Sequence, residues 1–233
     1  GGSGTRLHPV THVVSKQLLP VYDKPMVYYP LSVLMLAGIR KSLVVCDPSQ
    51  MALFQTLLGD GSQWGLELSF AAQTSPRGIA DALLVGESFL QGQPSALVLG
   101  DNLFFGTGLP ERMHRADQRT SGATIFSYPV RDPSSFAVLQ TDAAGTPVRI
   151  DEKPEHPVGS LAVTGLYFYD EQAPDLARML EPSARGELEV TALNQAYLDA
   201  GELHVESLGR GDAWMDMGTH EDLLSAAHFV EAM

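Results

Sequence analysis

Short apolar or β-branched runs alternate along the chain with longer stretches whose apolar positions recur at helical spacing, the pattern of an α/β protein. That spacing predicts helices over Val27 to Ile39, Gln50 to Leu58 and Ile79 to Leu90, with strands at Ser42 to Cys46 and Leu66 to Ala72 between them. Ser95-Ala96-Leu97-Val98-Leu99 is dominated by apolar residues, as a strand covered on both faces must be, and it stops abruptly at Gly100-Asp101-Asn102. Further strands are predicted at Ala123 to Val130, Phe136 to Gln140, Pro147 to Ile150 and Ala162 to Tyr169, with less helix between them, so the second half reads as more antiparallel. Helices return at Ala173 to Leu180 and Leu188 to Ala200, before a strand at Leu203 to Leu208 and a last helix from about Thr219. No linker, internal repeat or low-complexity tract divides the pattern.

Composition narrows the function classes. With 233 residues, 44% hydrophobic and 18% charged, the chain can bury a substantial core as one domain or two closely joined ones. A formal net charge of −13 argues against nucleic acid or an anionic membrane as partner, since both require a basic face. The single cysteine, Cys46, lies in an apolar run and reads as a buried structural thiol, which suits a reducing cytoplasm. No apolar stretch is long enough to span a bilayer and no signal-peptide pattern opens the chain, so a soluble, cytoplasmic protein is expected.

Candidate chemistry begins at the first residues. Gly1-Gly2-Ser3-Gly4-Thr5-Arg6-Leu7, followed by Ser15-Lys16-Gln17, combines closely spaced glycines, whose N–H groups can converge on one anion, with two cations. A nucleoside triphosphate is the natural guest, although Gly-Gly-Ser-Gly at a chain start also resembles a flexible linker. Asp101, just beyond a strand, is placed to hold a divalent metal or else to shape a turn. Asp216 precedes a capping-box pattern at Thr219 and Asp222, and two such carboxylates suffice for Mg²⁺, which keeps waters and phosphate oxygens as its other ligands. Glu152-Lys153 could accept sugar hydroxyls and touch a phosphate, or form a solvated hairpin turn. Arg185 could bind a second phosphate or stand free at the surface.

Other chemistries lack their signatures. There is no GxxxxGK[ST] loop, no GxSxG elbow and no HExxH, and Gly59 to Gly65 only approximates GxGxxG and follows a helix rather than a strand.

Taken together, GGSGTRL, SKQLLPVYDKPMVYYPLSVLMLAGIR, LLGDGSQWG, LVLGDN, DEKP, VTGLYFYD, PSARGELEVTALN and GRGDAWMDMGTH, all in order, resemble the short-form glucose-1-phosphate thymidylyltransferases from Gly1 to about Val230. The resemblance implies a Rossmann-like three-layer nucleotidyltransferase fold with a mixed, mainly parallel central sheet and a smaller antiparallel sugar-binding part. It implies a single domain over residues 1–233, nucleotide-binding in its N-terminal part and sugar-phosphate-binding over about 130–218. The family's first strand and a C-terminal helical extension are absent from the chain as given. The implied reaction is Mg²⁺-dependent transfer from dTTP to α-D-glucose 1-phosphate, giving dTDP-glucose and pyrophosphate and opening dTDP-deoxysugar synthesis. By matching positions, Gly1, Gly2, Ser3, Gly4, Thr5 and Arg6 would cradle the triphosphate, and Arg6, Lys16 and Lys153 would be the catalytic cations. Gln17, Gln73, Pro76, Gly78 and Asp101 would complete the nucleotide site. Ala137, Glu152, Lys153, Val163, Tyr167 and Arg185 would line the sugar-phosphate side, and Asp101 and Asp216 would hold the metal. A homotetramer under feedback by a downstream sugar nucleotide is also implied. Within the matched segments Phe136-Ala137 stands where the family commonly has Tyr-Gly, and Arg77, Asp81, Ala192 and Met217 replace Asp, Gln, Asp and Thr.

Overall fold

The computed structural model describes residues 4–233, so the expectations placed on Gly1, Gly2 and Ser3 lie outside it. In chain order the strands are β1 (Pro20–Val21), β2 (Lys24–Pro25), β3 (Lys41–Cys46), β4 (Glu67–Ala72), β5 (Ser95–Val98), β6 (Asn102–Gly106), β7 (Ala123–Pro129), β8 (Ala137–Thr141), β9 (Pro147–Glu152), β10 (Leu161–Tyr169), β11 (Leu203–Ser207) and β12 (Asp212–Asp216). The helices are α1 (Tyr28–Leu36), α2 (Met51–Leu58), α3 (Asp81–Val85), α4 (Glu87–Leu90), α5 (Leu109–Asp117), α6 (Ala173–Met179), α7 (Val190–Asp199) and α8 (His220–Ala232). No helix among the described residues is long and apolar enough to cross a membrane.

The chain folds into two compact units. The first comprises the residues up to Pro76, Leu99–Phe105 and Trp214–Met233. Here β3 and β4 pair in parallel, with Cys46 opposite Ala72 at their carboxyl ends. Cys46 is buried with Val27, Leu31, Phe54 and Leu58 in one core, as its apolar run suggested. A second core joins Val21, Met26, Leu103 and Ala226 around Met217. Helix α8 starts where the sequence placed it: the Asp222 amide donates to Thr219 Oγ1 at 3.2 Å, and that hydroxyl donates to Asp222 Oδ2 at 2.7 Å.

The second unit comprises Arg77–Val98 and Gly106–Ala213 and is built on a six-stranded sheet. Its order is β11-β7-β10-β8-β9, with β5 also paired to β10. Only β11 and β7 run parallel; β10 is antiparallel to β5, β7 and β8, and β8 is antiparallel to β9. The expectation of a mainly parallel central sheet is therefore corrected: the observed pairing is mixed, and antiparallel in this sheet apart from one pair. The physical reason lies in β5. Apolar content cannot report strand direction, and the half-buried residues of β5 lie along β10 with Leu166 opposite Val98.

Two local departures are also instructive. The helix predicted over Ile79 to Leu90 divides at Gly86 into α3 and α4, because glycine holds helical backbone poorly. Helix α5 was not anticipated, yet its buried Leu109, Met113 and Ala116 follow helical spacing and Pro110 sits in its first turn, where a missing N–H costs nothing.

Gly78 fixes the junction between the loop before α3 and the segment before α7. The Leu188 amide donates to the Arg77 carbonyl at 2.6 Å, and the Ala80 amide donates to the Leu188 carbonyl at 3.1 Å. At φ +102° a Cβ on Gly78 would lie 2.7 Å from Leu188 N and 2.8 Å from Leu188 C, closer still to its oxygen. Gly78→Ala is thus expected to cost ~3 kcal/mol, combining left-handed strain with overpacking against backbone. Thermal unfolding would show it as a midpoint lowered by roughly 6–12 °C.

Candidate active site

Each unit carries one cluster of the residues that the sequence singles out. In the first unit, Gly4 opens a 3₁₀ turn over Thr5–Leu7, anchored by the buried Leu7 side chain and by Thr11 Oγ1, which donates to the Gly4 carbonyl at 2.8 Å. A second 3₁₀ turn, Lys16–Leu18, is held by the Val27 amide donating to the Gln17 carbonyl at 2.9 Å. These turns aim Arg6 and Lys16. Lys16 Nζ is hydrogen-bonded to Asp101 Oδ2, and both side chains are nearly buried.

Asp101 and Asp216 are joined twice. The Met217 amide donates to the Asp101 carbonyl at 2.9 Å, tying the two carboxylate-bearing segments together. The Asn102 side-chain amide donates to Asp101 Oδ1 at 3.0 Å and to Asp216 Oδ1 at 3.3 Å, while its oxygen accepts from Trp214 Nε1 at 2.7 Å. Burial and the negative charge of Asp101 push the Asp216 carboxyl up to about 6, against the pull of Lys16 and Arg6. Arg6 also reaches this place. A Cβ on Gly218 would sit 3.1 Å from Asp216 Oδ2 and 3.2 Å from Arg6 Nη2, so a side chain there would press on both charged groups. Arg6, Lys16, Asp101 and Asp216 therefore form one cluster of two cations and two carboxylates. The Met217 side chain turns into the core formed with Val21, Met26, Leu103 and Ala226.

A cavity of about 240 Å³ in the same unit is lined by Gly4, Thr11, Ser15, Gln50, Gln73 and Pro76, among others. Gln73 and Asp47 follow the carboxyl ends of β4 and β3, the position where α/β sheets collect ligands. Gln17, in the same 3₁₀ turn as Lys16, accepts a 2.5 Å hydrogen bond from Ser15 Oγ.

The second unit gathers Glu152, Lys153 and Arg185. Glu152 ends β9 opposite Ala137 of β8, and Lys153 turns the chain with φ +44° while its amide donates to the Phe136 carbonyl at 3.1 Å. Glu152 Oε2 accepts from Thr191 Oγ1 at 2.5 Å; its Oε1 meets Lys153 Nζ and Arg185 Nη2, each at 3.2 Å. Val163 and Tyr167 are buried on β10 at the ends of a register shift, with the Tyr167 ring stacked on Tyr169 at 5.9 Å.

Four participants were missed by reading the sequence. Asn102 had a signal, its adjacency to Asp101, but was read only as part of a turn. Gln50 and Thr191 had none, because each reaches its partner only through the fold, whereas Glu189 follows Arg185 at i,i+4 spacing, a signal that a single pair in an otherwise mixed segment leaves weak.

The sequence pattern of the nucleotidyl transferase family matches residues 1–233. The chain belongs to that family. Among its relatives is a glucose-1-phosphate thymidylyltransferase from Xanthomonas campestris pv. campestris (strain B100), 60% identical over 233 residues, covering 100% of this chain and 79% of the relative. The enzyme of that name from Neisseria meningitidis serogroup A is 54% identical, covering 100% and 81%. A crystal structure from Bacillus anthracis, assigned as a glucose-1-phosphate thymidylyltransferase and in complex with a sucrose, superposes with a TM-score of 0.91 at 34% identity, covering 100% of this chain and 93% of that one. The architecture described above is thus an α/β nucleotidyltransferase fold, with the mixed strand directions reported.

Proposed function

We propose that this nucleotidyltransferase joins dTTP and α-D-glucose 1-phosphate into dTDP-glucose and pyrophosphate, the entry reaction to dTDP-deoxysugars such as dTDP-rhamnose. The observation that carries the reading is the cluster of Arg6, Lys16, Asp101 and Asp216, supported by the relatives' names. The sugar phosphate oxygen is already anionic. It forms a bond to the α-phosphorus of dTTP as the bond to the β-phosphoryl oxygen breaks, and the electron pair leaves on pyrophosphate. No side-chain nucleophile and no proton transfer is needed, so positioning and charge neutralisation carry the rate.

In this reading Arg6 and Lys16 neutralise charge on the transferring and leaving phosphates, with backbone amides of the Gly1 to Thr5 segment supporting them. Gln17, Gln73, Pro76 and Gly78 hold base and deoxyribose. Lys153 and Arg185 hold the sugar phosphate, Glu152 accepts sugar hydroxyls, and Ala137, Val163 and Tyr167 shape the space for the ring.

Asp101 and Asp216 suit Mg²⁺: they offer hard carboxylate oxygens, and the Asp216 carboxyl, raised first by burial and then by the Asp101 charge, is one whose ionised form a divalent cation would favour. Among the described residues no three or more His, Cys, Asp or Glu form a metal-holding group, so the two carboxylates would bind the ion with phosphate oxygens and water. The ion would supply charge to the polyphosphate and hold its conformation. Assembly as a homotetramer with feedback by a sugar nucleotide completes the proposal.

A panel of nucleoside triphosphates against hexose 1-phosphates, read as pyrophosphate release, tests it. The highest kcat/KM is expected for dTTP with glucose 1-phosphate. A different best pair would reassign base or sugar, and binding without turnover would make the chain a regulatory subunit.

A further inference from the structure

We infer that Glu189 is a positioning residue for the sugar phosphate: it holds the Arg185 guanidinium in place for that anion. The inference rests on the reading of Arg185 given above. Arg185 is about half exposed, with its side chain at 48%, and a long cation at that exposure has many conformations available unless something fixes it. Glu189, only 14% exposed, fixes it. Its Oε1 accepts from Arg185 Nη2 at 2.9 Å and from Ser183 Oγ at 2.8 Å, and Ser183 Oγ in turn accepts from the Arg185 amide at 3.3 Å. One carboxylate oxygen thus holds both the head of Arg185 and the turn from which it springs.

The location of Glu189 argues against a merely local role. It is the residue capping the start of α7, where a short side chain would ordinarily accept an amide hydrogen bond from the first turn. Glu189 makes no such bond. Its carboxylate is turned to Ser183 and Arg185 instead. Glu152 Oε1 takes Arg185 Nη2 from another direction at 3.2 Å and also takes Lys153, so the two cations assigned to the phosphate share one acceptor. Lys153 has Glu152 as its acceptor, whereas Arg185 has Glu189 as a second one, and removing Glu189 leaves Arg185 only the shared oxygen and the longer 3.7 Å contact to Glu187.

Steady-state kinetics on three single variants and one double variant tests this. Glu189→Ala is expected to raise KM for glucose 1-phosphate ~10-fold or more, with kcat and KM for dTTP within about 2-fold of wild type and an unfolding midpoint lowered by no more than about 4 °C. Glu189→Gln keeps an oxygen acceptor for both partners and is expected to return KM to within about 3-fold of wild type. Arg185→Ala is expected to raise the same KM at least as far, and the double variant Glu189→Ala with Arg185→Ala to be no worse than Arg185→Ala alone. If Arg185→Ala raises KM but Glu189→Ala does not, or if Glu189→Gln is as poor as Glu189→Ala, the role of Glu189 is overturned while Arg185 keeps its own. If Arg185→Ala leaves KM at the wild-type value, the assignment of Arg185 to the phosphate fails, and the inference falls with it.

Discussion

Lys16→Ala is expected to lower pyrophosphate release from dTTP and glucose 1-phosphate by ~10²-fold or more in kcat, with the protein still folded. The side chain contributes through charge at one place. Its Nζ lies on Asp101, and its field reaches Asp216, whose carboxyl it pulls toward ionisation. Removing it leaves two carboxylates facing an incoming triphosphate with Arg6 as the remaining cation of the cluster. The loss should fall on the chemical step, because the negative charge on the leaving group grows as the bond to the α-phosphorus breaks. The turn itself is held by backbone bonds from Leu19 to Lys16 and from Val27 to Gln17, neither of which needs the lysine side chain. Single-turnover pyrophosphate release beside a thermal melt checks both halves of the expectation. Turnover at the wild-type rate would remove Lys16 from the mechanism. Lys16→Arg should recover little of the loss, since a planar guanidinium cannot occupy the position of a compact ammonium.

Asp101→Asn is expected to have an effect of similar size, ~10²-fold or more, for a different reason. The substitution preserves shape and the loop: the Met217 amide still donates to the residue-101 carbonyl. What disappears is one of the two negative charges proposed for Mg²⁺. The Mg²⁺ concentration giving half-maximal rate should therefore rise, while binding of glucose 1-phosphate alone, measured by calorimetry, should stay as in wild type. An unchanged Mg²⁺ dependence together with a lowered rate would show Asp101 acting only as the partner of Lys16. The carboxyl of Asp216 should fall back toward its ordinary range, because the Asp101 charge is one of the causes of its elevation.

Much of the secondary structure could be read from periodicity. The strands β3 and β4, the apolar runs of β7 to β10 and the capped start of α8 all carry patterns set by neighbours within a few residues. Helix α5 shows the limit of that reading, since its three buried positions carried the spacing but were outnumbered by polar neighbours. Gly86 shows another, where one residue divided a continuous apolar period.

Sequence alone determined which chemistry was available: glycines and cations near the start, carboxylates after Gly100 and after Met215, an acid and a lysine at 152 and 153, and no nucleophile or metal-ligand array to compete with them. Residue types and their order carry that information because pKa, charge and hydrogen-bonding capacity belong to each side chain before it folds. Only the tertiary structure decided which of these groups meet. Lys16 and Asp101 are 85 positions apart, and Asn102 and Asp216 are 114 apart, separations over which no local pattern constrains contact. The direction of each strand was settled in the same way, since β5 lies antiparallel to β10 through pairing that its own residues do not encode. Burial then gave the assembled groups their properties, raising the Asp216 carboxyl by withdrawing it partly from solvent beside another negative charge, a condition that exists only once distant segments have packed together.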